Sequence, residues 1–332
     1  MKKILPLILT IIICSSCSAA GLQVNERAFI QIFGMEKTGE VYHVYMKLLG
    51  DETISGEGDT ILSAVAEAEL LQGKKLFLGQ MKLFIIGKGF DELDKELNLF
   101  LSGDICPACP VLYSHNPEEI VNSKTNADEL LKELNVYSSQ GKSIITPLTE
   151  IVSKTTGTHT AAAVPNVLSK DDRIVFDGIT LLGEDGDGGT VSNSDALGIK
   201  ILSGKVDAKD RITVSAPVGN EMISGEILGV KIKRDVSFIE DILVFQIKIK
   251  IKADITEKPL EMPEQIALEA IADYVRMNVL TSFNLTLKGY NIDVFGLEKL
   301  VRQKLPADYG VYKQNPPAIW ENSIIEIIIE IE

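Results

Sequence analysis

Residues 244–252 read Val-Phe-Gln-Ile-Lys-Ile-Lys-Ile-Lys, and this strict alternation constrains the fold more than any other stretch of the chain. Phe245, Ile247, Ile249 and Ile251 fall on one side, and Gln246, Lys248, Lys250 and Lys252 on the other. A period of two belongs to an extended strand with one face against a core and one in water. Such a strand needs neighbours and a cover, and the chain supplies both. Residues 226–234 also alternate, with Leu228, Val230 and Ile232 opposite Lys231 and Lys233. The final residues put Ile325, Ile327, Ile329 and Ile331 on one face and Glu326, Glu330 and Glu332 on the other. If the lysine and glutamate strands are neighbours, opposite charges meet on the wet face, at ~0.2–1 kcal/mol per pair. The isoleucine faces contribute more, ~1.5–3 kcal/mol for each buried side chain. Their cover is a helical stripe of Leu268, Ile271, Val275, Val279, Phe283 and Leu287. It follows Pro263, which is tolerated in a first turn, and ends at Gly289. A second helix over 294–305 stops before Pro306. The C-terminal domain, 197–332, is therefore expected to be α+β: an antiparallel strand group, two helices and a final strand.

The preceding half is less regular. Residues 28–33 and 41–48 read as a β-hairpin turning at Glu36-Lys37-Thr38-Gly39. Gly56-Glu57-Gly58-Asp59 breaks the pattern and offers an N-cap to a helix carrying Ile61, Leu62, Val65, Ala68 and Leu71. A buried-type strand follows over 81–86, stopped by Gly87, then a helix over 91–101 and a short strand at 111–113. Pro117 opens further helix that resumes over 127–134, and another short helix spans 147–154. Residues 155–163 read as extended, 174–182 as a strand around Gly178, 184–189 as a loop, and 196–201 and 212–216 as short strands. With 332 residues the chain suggests two domains or three. The expected division is an N-terminal α+β region over 22–190, with room for a small subdomain around 166–215, before the C-terminal domain. The fold class expected is thus multi-domain α+β, with mixed or antiparallel sheets each covered by helices.

The N-terminus sets the compartment. Met1-Lys2-Lys3 precedes an apolar run over 4–13, and Ser15-Ser16-Cys17 follows. A basic start, about ten apolar residues and then small ones make a secretory signal, too short for a permanent spanning helix. Serines before a cysteine form a lipobox: residues 1–16 are removed and Cys17 takes up acyl chains, palmitate among the candidates. Cys14 is the other candidate acceptor, but Ile13 is bulky for a cut site. An ordinary secreted protein with incidental cysteines is the competing reading. No later stretch approaches the ~20 apolar residues of a spanning helix. The net charge of −14 becomes more negative once Lys2 and Lys3 are lost, which argues against nucleic acid as a partner and against a surface lying flat on anionic lipid.

The motifs, taken in order, resemble the Ger(x)C family, the lipoprotein C-type subunits of spore nutrient germinant receptors. They run from Cys17 through Asn25-Glu26-Arg27-Ala28, Gly56-Glu57-Gly58 and Leu78-Gly79-Gln80-Met81-Lys82-Leu83-Phe84-Ile85-Ile86-Gly87. Phe176-Asp177-Gly178-Ile179-Thr180-Leu181-Leu182 and the Lys/Ile strand come next. Tyr290-Asn291-Ile292-Asp293-Val294-Phe295-Gly296 and Trp320-Glu321 close the series. The chain departs from the family at Ala196-Leu197-Gly198-Ile199-Lys200, where aromatics are common, and at Cys106-Pro107-Ala108-Cys109, where an Arg-containing segment is usual. The resemblance implies a non-enzymatic subunit on the outer face of the inner spore membrane. Its implied partners are a membrane-embedded A-type subunit and a permease-like B-type subunit. Its implied process is nutrient-triggered germination. An extracytoplasmic solute-binding lipoprotein is the alternative, and it requires a hinged cleft lined by convergent polar groups.

No catalytic, cofactor-binding or metal-ligating set emerges from the sequence. Cys106-Pro107-Ala108-Cys109 has redox-motif spacing, but a thioredoxin-type site sits at a helix N-terminus after a strand. Here Pro110 and a strand follow, so a structural disulfide or a free pair is expected, with a redox or metal half-site as the competing reading. Asp185-Gly186-Asp187-Gly188 lacks the third spaced ligand and closing Glu of a calcium loop and reads as a solvated turn. His43, His115 and His159 are scattered, and an extracytoplasmic enzyme would need one of them set against a carboxylate or hydroxyl in a cleft. Trp320 reads as a core anchor before the last strand, and Gly79 to Gly87 as strand and turns rather than a phosphate loop.

Overall fold

A computed structural model describes residues 27–101, 106–155, 160–171, 173–240 and 242–332. Cys17, the signal segment and His159 lie outside the described residues. No helix among the described residues is long and apolar enough to cross a membrane.

The expected α+β architecture is present as two mixed sheets. The first has nine strands. Its centre is parallel: β1 (Arg27–Thr38), β5 (Leu83–Ile86), β6 (Val111–Tyr113) and β7 (Ala162–Lys170) lie side by side. Antiparallel wings flank it, β2 (Val41–Leu48) and β3 (Thr53–Gly58) on one side, β8 (Arg173–Gly183) and β9 (Gly186–Val191) on the other. The short β4 (Lys75–Phe77) pairs in parallel with the start of β1. A parallel centre is buried on both faces, which is why Leu83-Phe84-Ile85-Ile86 is continuously apolar. Phe84 and Ile86 face a core that includes α1 (Ile61–Gln72), α2 (Leu93–Leu101) and α5 (Leu148–Thr155). Leu83 and Ile85 face the other, with α3 (Pro117–Asn122) and α4 (Ala127–Ser139).

The second sheet runs β10 (Ile212–Val218), β11 (Glu221–Ile239), β12 (Ile242–Glu257), β13 (Ile324–Ile331). The lysine strand and the glutamate strand are neighbours, and they run parallel. Glu330 bridges Lys248 and Lys250, the latter at 2.6 Å. On the inner face Phe245, Ile247, Ile249 and Ile251 pack on α7 (Glu264–Phe283), with the Phe245 and Phe283 rings 5.8 Å apart. A π-helical turn, Asn284–Gly289, extends α7 and buries Thr286 and Leu287. Then come α8 (Leu297–Lys304), α9 (Tyr309–Tyr312) and α10 (Pro316–Asn322). Trp320 is fully buried and donates its indole N–H to the Tyr312 hydroxyl at 2.7 Å, the expected anchor.

Four local expectations are corrected. Residues 196–201 form no strand: α6 (Ala196–Leu202) is a helix with all seven residues buried. A short run that is buried all round carries no period to separate strand from helix. Residues 186–189 belong to β9 rather than a loop, their glycines serving close packing. Gly56-Glu57-Gly58 lies within β3, and the cap of α1 is Thr60, whose hydroxyl accepts from the Ser63 N–H. Helix at 294–296 gives way to a loop before α8.

Candidate functional site

The densest polar chemistry lies where the two sheets meet. One isoleucine- and leucine-rich core spans the join: Ala161, just before β7, and Ala163, Ile179, Leu181 and Val191 of the first sheet cluster with α6, α7 and the inner face of the second. Three sets of side chains cross it.

The first set is the loop between the π-turn and α8. Asn291 (φ 57°) and Gly296 (φ 74°) hold the left-handed bends that set Asp293 inward. Its buried carboxylate accepts the Phe295 N–H at 2.9 Å and the Glu298 N–H at 2.8 Å, capping α8. Burial pushes the Asp293 carboxyl up, against the backbone N–H groups and Lys154, which favour the ionised form. Its carbonyl accepts the Ala161 N–H, and the Arg234 guanidinium donates to the Phe295 carbonyl at 2.7 Å. Tyr290 and Ile292 of this loop lie on β9. A Cβ at Gly188 would sit 2.4 Å from Ile292, and one at Gly189 2.4 Å from the Tyr290 ring, so these positions have no room for a side chain. The Tyr290 hydroxyl donates to the Thr190 carbonyl. A hollow of about 220 Å³ remains between the β8–β9 turn and this loop, lined by Thr160, Asp185, Asp187, Tyr290 and Asn291 among others.

The second set is Lys154–Glu150–Lys205. Glu150 lies 3.0 Å from Lys154 and 2.9 Å from Lys205. Lys154 donates to the Val294 carbonyl, and Lys205 to the Thr146 hydroxyl, which itself donates to the Ala163 carbonyl. Burial alone would raise the Glu150 carboxyl, but the two ammoniums more than offset it and the net direction is down. Burial lowers Lys205 to about 8, against the pull of Glu150. The third set is Lys200, buried on α6, 2.8 Å from the equally buried Asp210 and donating to the carbonyl and hydroxyl of Ser138 at the end of α4.

These groups pair charge with charge and cap backbone. None sets a nucleophile against a base, and apart from the hollow beside the β8–β9 turn the join is a shared apolar core. Of the residues singled out in the sequence, His43 faces Glu57 at 3.7 Å as an open cross-strand pair, and exposed His115 meets the Tyr113 hydroxyl at 3.2 Å. Cys106 and Cys109 are separate thiols on a turn closed by the Cys109 N–H to the Cys106 carbonyl. Burial pushes the Cys109 thiol up, away from the thiolate that redox or metal chemistry needs. Among the described residues no group of three or more His, Cys, Asp or Glu could hold a metal. Sequence reasoning singled out Asp293 and Lys200 only as parts of longer segments and missed Glu150, Lys205 and Asp210. A lysine inside the apolar run Ala-Leu-Gly-Ile-Lys-Ile-Leu was the available signal.

Comparison with known proteins places this joint in a family. Residues 22–168 match the spore germination protein N-terminal domain, and residues 177–332 match the domain described as spore germination B3/GerAC like, C-terminal. The chain belongs to this Ger(x)C family of spore germination proteins. A solved structure, "Crystal Structure of the GerBC protein", has a similar fold, with TM-score 0.63 at 14% identity over 90% of this chain and 96% of that one. No curated protein matches the chain in a sequence comparison.

Proposed function

We propose that the chain is a non-enzymatic, lipid-anchored subunit of a spore nutrient germinant receptor, acting in assembly or signalling. The observation that carries this reading is the conjunction of two germination-family domains over 22–168 and 177–332 with a lipobox ending at Cys17 just before them. Acyl chains on Cys17 hold the folded body on the outer face of the inner spore membrane. There it meets a membrane-embedded A-type subunit and a permease-like B-type subunit at the high effective concentration a tether provides. Small nutrients act on the partners. Cys106 and Cys109, separate thiols in this structure, lie on one turn, and an oxidising compartment is expected to close them into a short disulfide. Intact mass before and after alkylation of the denatured chain reads that bond directly.

The test of the function is Cys17→Ala at matched expression. Membrane retention and nutrient-triggered germination both fall if the reading is right. Unchanged behaviour in both rejects it.

A further inference from the structure

Four segments converge at one end of the first sheet. Arg27, the first residue of β1, pairs with Lys75 of β4. The β2–β3 turn joins them through the Leu49 N–H, which donates to the Phe29 carbonyl. The last turn of α1 arrives at the same place: Glu69 reaches Lys75 and the Leu76 N–H, and Gln72 reaches Glu52. This end carries three leucines that the fold leaves in water, Leu70 at 83% exposure, Leu71 at 74% and Leu49 at 66%. Leucine forms helix well, but charged helix formers would serve an exposed final turn without leaving apolar area in water, and the C-cap glycine, Gly73, that follows has open space around it. Exposed Lys74 and Lys75 lie beside them, with Arg27 held over the Phe77 ring. Asp51 and Glu52 in the neighbouring turn are also exposed, so the charge here is mixed and the leucines carry the attraction.

We propose that this end is a membrane-contact surface, with Leu49, Leu70 and Leu71 seated in the interfacial layer of an anionic bilayer and Lys74 and Lys75 among its headgroups. The inference rests on acylation of Cys17. The ten residues from Cys17 to Arg27 reach at most roughly 35 Å, so the anchored lipid holds this end of the molecule close to the bilayer. Of the other exposed apolar side chains among the described residues, Leu260 is the barest, and exposed Glu257, Glu261 and Glu264 lie around it in the chain, which an anionic surface repels. The acyl chains on Cys17 supply the anchoring, and the leucine tip adds a second contact that fixes which end of the body meets the bilayer.

Bromine-bearing lipids read the contact. The full acylated chain is placed in vesicles of phosphatidylethanolamine and phosphatidylglycerol, as Leu71→Trp or, for comparison, as Met277→Trp on α7. Native Trp320 is fully buried and gives a constant background. Bromination is expected to quench the Leu71→Trp signal at least about twofold and to leave Met277→Trp unchanged. In Leu49→Trp, adding Leu70→Asp and Leu71→Asp is expected to abolish the quenching while the tethered protein still floats with the vesicles. Equal quenching of Leu71→Trp and Met277→Trp in floating protein overturns the contact surface alone. Failure of the unsubstituted chain to float overturns the anchor and this inference together.

Discussion

Lys200 shows what one residue can hide. It sits in a helix buried on every side, so its ammonium is out of water and depends on Asp210 and Ser138. Replacing Lys200 by Met leaves the Asp210 carboxylate buried without a cation. The expected loss is about 3–5 kcal/mol in urea unfolding, much of it recovered when Asp210→Leu is added. The sequence shows a lysine inside an apolar run but not its partner Ser138, which lies 62 positions away. Glu150 gives a pH signature. Its folded pKa lies below the ordinary 4.5, so its contribution is present above that value and is lost as pH falls through the folded one. Wild type should therefore exceed Glu150→Gln in stability at neutral pH, with the gap closing in acid, as followed by thermal unfolding across the range. A constant gap would remove the charged role assigned to this carboxylate.

Elements were legible where their period was strong. The Lys/Ile strand, its glutamate partner and the α7 stripe follow from alternation and 3.6-residue spacing, and the structure pairs them as expected. Legibility failed where glycine was read as punctuation. Gly56 is inside β3 because α1 crosses it so closely that a Cβ would lie 2.1 Å from the Ala64 carbonyl oxygen. Gly56→Ala is therefore expected to destabilise by on the order of 3 kcal/mol, read as a shift in the urea midpoint. A midpoint unchanged from wild type would show that the β3–α1 packing gives way. The β9 glycines were missed for the same reason: their partner, the Tyr290–Ile292 loop, is about a hundred residues away, as the Tyr290 bond to Thr190 shows. A pattern read over a dozen residues contains no trace of it.

At the scale of the molecule, the two family domains meet at the β7–β8 turn, yet the first sheet continues through β9. We propose that the two domains divide later, as 22–190 and 197–332, with the β7–β9 wing packed against both. That wing shares a core with α7 and the second sheet, and Lys154, Lys200 and Lys205 bridge the same join. The body should consequently unfold as one unit: Trp320 fluorescence and far-UV circular dichroism should trace one coincident urea transition. Two separated transitions would show that the joint is weaker than its contacts imply. The function proposed for the chain depends on integral partners. The decisive measurement is recovery of the tagged, acylated chain from mildly solubilised spore inner membranes. The account predicts that an A-type and a permease-like B-type chain come with it in fixed proportion, and are lost with Cys17→Ala at matched expression. Recovery of the chain alone from the soluble fraction, with germination intact, would contradict it.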